Sequence, residues 1–345
     1  MLSDSIGPVW DNIPESRGTG VKPRLSLTSD VLDFLECQRK YGLYKVRGFA
    51  SAAGTGEFVG TLAHRSLEQA WRHFKESGRP PSDLEMADIL EKNRVALFAG
   101  ENRRPRSWAA ALNTGYRVLR MNRTLAERGI YAIVVGCERV LRVGDEKFVI
   151  EGVIDTVLNH DQGVTLWDWK ATRDPRRLLG SPPGSPELRT ATRNLERYRM
   201  QLRLYAHLFH AATGERVASC RAVFLQEIPL PTSAAGTVAG DELHQLWKDA
   251  SAVPISESEW SHFESKAASP TSAGLFLSVA VNDAEVEETV RSFRDTALNI
   301  IASRHADHWP APAEKDLPEA QTCADCDFRD SCPTVKGRRI NVGDD

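Results

Sequence analysis

Hydrophobic and polar positions along this chain change their period twice, and the changes divide it. From Ser29 the run SDVLDFLECQRKYGLYKV carries helical spacing, with Ser29 or Asp30 as cap and Cys37 in the middle of the predicted helix. After the glycine-bearing loop SAAGTGEFVG, the run TLAHRSLEQAWRHF sets Ala63, Leu67, Ala70, Trp71 and Phe74 on one stripe. Helical texture continues over 83–130 and breaks at ENRRPRS, where Pro105 interrupts it. Near Ile130 the period drops to two. YAIVVGCERVLRV, EKFVIEGVIDTVL and GVTLWDWKAT read as consecutive antiparallel strands, with turns at Gly144-Asp145 and Asp161-Gln162-Gly163. A Pro/Gly/Ser loop leads to the helix NLERYRMQLRLYAHLFHAATG, closed by Gly214, and then to the strand VASCRAVFLQEI. Residues 229–275 are rich in Ser, Ala, Pro and Gly, with a short helix near Leu243 to Ala250; a last helix covers Asp283 to Ala302. Helices, a strand meander, a helix and a strand predict one α/β core with helical insertions.

Composition narrows the class. At 345 residues, 41% hydrophobic and 26% charged, the chain has the make-up of a soluble globular protein able to bury a sizeable core. MLSDSIGPVWDN lacks the basic start and apolar run of a signal peptide, and no apolar stretch approaches eighteen residues. The expectation is a cytoplasmic protein that does not engage a membrane. A net charge of −3 leaves nucleic-acid binding to a local patch.

That patch exists. Between Arg173 and Arg203 eight arginines face three acids, a local excess of five positive charges. So few acids within the segment cannot pair the arginines, and phosphate neutralisation accounts for the excess. Trp167, Trp169 and Tyr198 offer stacking surfaces or core packing.

The chemistry centres on Asp168-Trp169-Lys170. Residues i and i+2 of a strand share a face, so a carboxylate and an ammonium lie side by side. A solvated strand-end ion pair would be worth little. Asp155, one hairpin earlier, supplies a second carboxylate, and two oxygen ligands on rigid strands suit Mg²⁺ or Mn²⁺. Lys170 would then stand beside a metal-activated water or a charged phosphate oxygen. Gln201 and Tyr205 are four apart on a predicted helix and share a face.

Taken in order, Gly60 to His64, Glu138, Gly152 to Asp155, Asp168 to Lys170 and Gln201 to Tyr205 resemble the PD-(D/E)xK nuclease superfamily, in its RecB-like branch. The resemblance spans 26–335, with insertions at 75–130 and 229–300. It implies a restriction-endonuclease-like α/β core with a mostly antiparallel central sheet flanked by helices, preceded by a flexible leader over 1–25 and followed by a tail over 336–345. It also implies a metal site of His64, Asp155, Asp168 and the Trp169 carbonyl. The catalytic lysine would be Lys170, with Gln201 and Tyr205 facing the active site and Glu138 as a further acid.

The cysteines add a second centre. Cys323, Cys326 and Cys332 lie within ten residues, with Cys37 far upstream, and in a reducing compartment such crowding argues for metal. Four thiolates suit tetrahedral zinc or an iron–sulfur cluster. One CxxC, one wider gap and a remote partner depart from a zinc ribbon and lean towards [4Fe–4S]. The same arrangement resembles the iron–sulfur RecB-like nucleases of Cas4, AddB and Dna2 type, which would make the C-terminal segment a structural cluster-binding element. Cys137 and Cys220, inside strands, read as small buried hydrophobes.

Together these readings predict a Mg²⁺- or Mn²⁺-dependent deoxyribonuclease. Arg173, Arg176, Arg177, Arg193 and Arg197 would bind single-stranded or end-containing DNA. No phosphate-cradling G-x-x-x-x-G-K-[ST] occurs, so a separate helicase or complex would open duplexes. The competing reading is a catalytically silent DNA-binding scaffold of the same fold.

Overall fold

The computed structural model describes residues 22–49, 55–101, 103, 105, 107–161, 163–230, 238–250, 252–313, 322–323 and 326–335. Most of the predicted leader and the whole tail over 336–345 lie outside these.

A six-stranded mixed sheet organises the chain. Its strands are β1 (Arg24–Ser26), β2 (Val134–Gly144), β3 (Val149–His160), β4 (Gly163–Lys170), β5 (Val217–Phe224) and β6 (Phe276–Val279). The meander β2-β3-β4 is antiparallel as its pattern predicts, β5 runs parallel to β4, and β6 returns antiparallel at the edge. Two strands escape the sequence pattern. β1 sits where the chain reads as leader and pairs parallel with β3, and β6 lies inside 229–300. Three- and four-residue strands are too short to show alternation.

Helices cover both faces. Residues 27–46 wind through short turns that include α1 (Asp33–Glu36) and α2 (Gln38–Tyr41). On one face lie α3 (Thr55–Ser77), α4 (Asp83–Val95), α5 (Trp108–Glu127), α7 (Leu243–Asp249) and α8 (Glu257–Ala267), packed on Trp167, Trp169 and Phe276. On the other, α6 (Pro186–Thr213) and α9 (Asp283–Ala306) pack on Ile150, Ile154, Leu166 and Ala222. α6 begins eight residues before the predicted start, because the Ser185 hydroxyl caps it and Pro186 occupies its first turn. Gly152 lets α6 sit close to the sheet: a Cβ there would lie 2.6 Å from Leu208 Cδ1 and 3.2 Å from Tyr205 Cε1. No helix among the described residues is long and apolar enough to cross a membrane.

The helix predicted through Cys37 is broken at that residue. Cys37 is extended (φ −161°, ψ 109°) and its sulfur accepts the Lys40 N–H, so it caps α2 instead of continuing α1.

β3 carries the feature that matters for function. β2 occupies one of its edges from Val149 to Leu158. The other edge is divided: β1 pairs with Val149–Glu151, and β4 with Thr156–His160. Gly152 to Asp155 therefore face a fork between two neighbours.

One arginine assigned to phosphate belongs to the core. Arg176 is 2% exposed, and its Nε and a terminal nitrogen grip Asp174 at 2.9 and 2.6 Å. It also donates to the carbonyls of Ser269 (2.7 Å), Lys266 (3.1 Å) and Phe276. The guanidinium fastens the loop after β4 to α8 and β6, so it has no donor left for DNA. Breaking a buried pair leaves a charge uncompensated. Arg176→Ala should cost about 3–5 kcal/mol in urea unfolding, and a loss below about 1 kcal/mol would show that Asp174 finds another partner.

Candidate active site

The site forms where β3 and β4 part. The last paired residues are Thr156 and Trp167. The next N–H of β4, from Trp169, donates to the Asp155 carboxylate (Oδ2, 2.6 Å). A side chain thus takes up a backbone donor where the ladder ends, satisfying a group that burial would otherwise leave orphaned. Asp155 Oδ1 lies 3.4 Å from His64 Nδ1, presented by α3.

Glu138 completes this side. It lies on β2 between the pairs Cys137–Thr156 and Arg139–Ile154, and its φ is +47°. A side chain in the left-handed region inside a strand is uncommon and is retained where surrounding structure enforces it. The kink re-aims the carboxylate, which lies 3.8 Å from His64 Nδ1. One donor atom from each of His64, Glu138 and Asp155 falls within 4.8 Å of the others.

Asp168 and Lys170 share the face of β4 turned towards α6, as alternation requires, but they are not solvated strand-end charges. Asp168 is 3% exposed, with Oδ2 2.6 Å from Lys170 Nζ. Gln201 joins the pair, its amide nitrogen donating to Asp168 Oδ1 (3.0 Å) and its carbonyl accepting from Lys170 (2.9 Å). The same nitrogen lies 2.8 Å from the Tyr205 hydroxyl. Tyr198, three residues before Gln201, puts its ring under Lys170 at 5.0 Å. Its i, i+3, i+7 spacing with Gln201 and Tyr205 was the signal for this role.

Electrostatics follow from burial. Burial alone would favour the neutral imidazole, but Asp155, Glu138 and Asp168 lift His64 to about 10. Burial would raise Asp155; His64, Lys170 and the Trp169 N–H outweigh it and hold the carboxyl low. Asp168 goes the other way, raised by burial against the pull of Lys170. Two buried acids are thus held by a protonated ring and an ammonium. An imidazole and carboxylates of this spacing fit a hard divalent cation in place of the ring proton. Asp168 Oδ2 fits too: it is buried and, its contact with Lys170 lacking hydrogen-bond geometry, forms no hydrogen bond among the described residues.

A family model described as the PD-(D/E)XK nuclease superfamily matches residues 25–333. The chain belongs to the PD-(D/E)XK nuclease superfamily. Within this nuclease superfamily it is 29% identical over 80 residues to an ATP-dependent helicase/nuclease subunit of Listeria monocytogenes serotype 4a (strain HCC23), and equally to that of serovar 1/2a (strain ATCC BAA-679 / EGD-e). The match covers 23% of this chain and 6% of each relative. The crystal structure of SSO0001 aligns over 88% of this chain and 97% of its own, at 14% identity and a TM-score of 0.27.

The remaining sequence-derived residues fall in three places. Cys37, Cys323, Cys326 and Cys332 line one cavity with Arg39 and Lys40. Burial, with the neighbouring thiols adding, pushes Cys323 up to about 11 and Cys37 in the same direction. Trp167 and Trp169 are each 4% exposed in the core, which removes them as stacking surfaces. Among the arginines, Arg177 pairs with Glu227 and Arg197 with Glu36 at 3.3 Å. The segment's shortage of acids misled, because other elements supply them. Arg193 and Arg197 line a groove of about 470 Å³ formed with α1 and α9, while Arg173 is exposed.

The kink at Glu138 gives a stability signature. At an ordinary strand position alanine outlasts glycine by roughly 0.5–1 kcal/mol. At 138 the order should reverse, with Glu138→Gly about 1 kcal/mol more stable than Glu138→Ala, because only glycine adopts this φ without strain. Equilibrium unfolding of the two variants checks it; alanine above glycine would mean that the strand straightens.

Proposed function

We propose that this chain is a Mg²⁺- or Mn²⁺-dependent deoxyribonuclease whose single nuclease domain spans residues 26–335. The observation that carries the reading is the convergence of His64, Glu138 and Asp155 at the strand fork, with Asp168 and Lys170 on the adjacent strand. His64, Glu138, Asp155, Asp168 and the Trp169 carbonyl would hold the metal. A bound divalent ion supplies a water of lowered pKa and a counter-charge for phosphate. Lys170 holds its ammonium where a phosphate oxygen gathering charge would meet it, steadied by Gln201 and by the Tyr198 ring. Tyr205 in turn fixes the Gln201 amide, so the lysine is oriented before substrate arrives. Hydrolysis in this family leaves 5′-phosphate and 3′-hydroxyl ends.

The four cysteines around one cavity support a structural [4Fe–4S] cluster tying the N-terminal turns to the C-terminal segment. Such a link constrains an unfolded chain most when the loop it closes is long. The likeness to helicase/nuclease proteins, limited to 80 residues, supports a separate helicase that delivers single strands or frayed ends.

Because Asp168 and Lys170 are buried, alanine would strand a charge, and near-isosteric variants separate chemistry from folding. Asp168→Asn and Lys170→Met should each lower cleavage of single-stranded DNA at least 10²–10³-fold, with unfolding midpoints near wild type. EDTA should silence the wild type and Mn²⁺ restore it. Cleavage that survives EDTA, or either variant, removes the assignment.

Anaerobically purified protein should carry about four irons per chain if the four thiolates hold one cubane, and Cys37→Ala should lose them. Stoichiometric zinc without iron would decide for a thiolate zinc site.

A further inference from the structure

The helical segment between α3 and β2 has no role in the site described above, yet one of its side chains reaches the exit of β4. Arg117, on α5, donates from Nε to the Ile228 carbonyl at 3.2 Å. Ile228 follows the turn Leu225–Glu227 at the end of β5. The chain leaving Lys170 packs on the same turn: Gln226 donates to the Ala171 carbonyl at 2.8 Å, and Glu227 accepts the Asp174 N–H at 3.1 Å. Arg173 lies between those two anchors, exposed, with no acidic partner among the described residues.

Charge at this spot is unbalanced. Asp174 is consumed by Arg176. Glu227 is consumed by Arg177, with Nε 2.7 and 2.9 Å from its two oxygens. Arg117 and Arg173 then face each other across a carboxylate already committed. Burial depresses Arg117 first, Arg173 adds to that, and Glu227 only partly offsets it. Two guanidinium groups with a net charge near +2 form a fork that a phosphate oxygen pair satisfies bidentately. The place suits the substrate as well. Consecutive Cα atoms are 3.8 Å apart, so Arg173 lies no farther than about 11 Å from Lys170 along the backbone.

We infer that Arg117 and Arg173 form a phosphate clamp for the nucleic-acid strand, one or two nucleotides from the bond held at Lys170. The inference rests on the nuclease reading and extends it by giving the helical segment a substrate-positioning role. Both residues contact the sugar-phosphate backbone and read no base, so the clamp is indifferent to sequence.

The test uses the full chain, a single-stranded oligonucleotide, and EDTA so that nothing is cut. Arg117→Ala and Arg173→Glu should each weaken binding about tenfold or more. Each should also flatten the dependence of log affinity on log salt by about 0.7 per lost phosphate contact, while Arg117→Lys keeps the slope. Melting curves exclude a folding effect at Arg117, and the exposed Arg173 provides an independent arm. A single methylphosphonate at the clamped linkage should weaken the wild type as much as the double variant is weakened, and cost the double variant nothing more. A wild type that cuts single strands alongside variants with unchanged affinity and slope overturns the clamp alone. A wild type that neither binds nor cuts overturns the nuclease reading and the clamp with it.

Discussion

One hydrogen bond anchors the functional end of this protein: the Trp169 N–H to the Asp155 carboxylate, 2.6 Å long, at the fork where β3 changes neighbours. An edge cannot be shared by two strands without a stretch where neither fits, and backbone groups in that stretch need other partners. Asp155 supplies one. In doing so it is fixed to both strands, with its second oxygen left to face His64. Rigid placement of this kind is what a metal-binding or catalytic group requires, because a small misplacement costs much of the rate.

The rest of the core serves that placement from both sides. Below the sheet, Gly152 admits α6, which brings Gln201 and Tyr205 against Asp168 and Lys170. Above it, α3 brings His64, and the left-handed turn of Glu138 aims a third donor into the same space. Two carboxylates buried together would repel. Here His64 and Lys170 supply the compensating charge, so the site is held together by counter-ions that a divalent cation can replace. The Arg176–Asp174 pair performs a different task nearby, locking the loop after β4 so that Arg173 leaves the strand in a fixed direction.

Much of this was legible in the sequence because it depends on local period. Alternation put Asp168 and Lys170 on one face, helical spacing put Gln201 beside Tyr205, and the switch near Ile130 located the sheet. What stayed hidden depends on distance along the chain. β1 and β6 are strands only because longer strands lie beside them. Glu138 gained its position from a backbone kink that no residue preference announces. The arginines after Lys170 read as free because their partners are remote: Glu36 is 161 residues from Arg197, and Glu227 is 50 from Arg177. Cys37 looked mid-helix, since helical propensity cannot register a residue that turns its thiol towards a segment nearly three hundred positions away.

The central claim is that the fork between β1, β3 and β4 is a divalent-metal site. Anomalous diffraction from crystals soaked in Mn²⁺ tests it most directly. The expected result is a manganese peak bounded by His64, Glu138 and Asp155, within coordination distance of about 2.0–2.3 Å of Asp155, and its loss in Asp155→Asn. Manganese absent from the fork, with His64 still resting against Asp155, would contradict it.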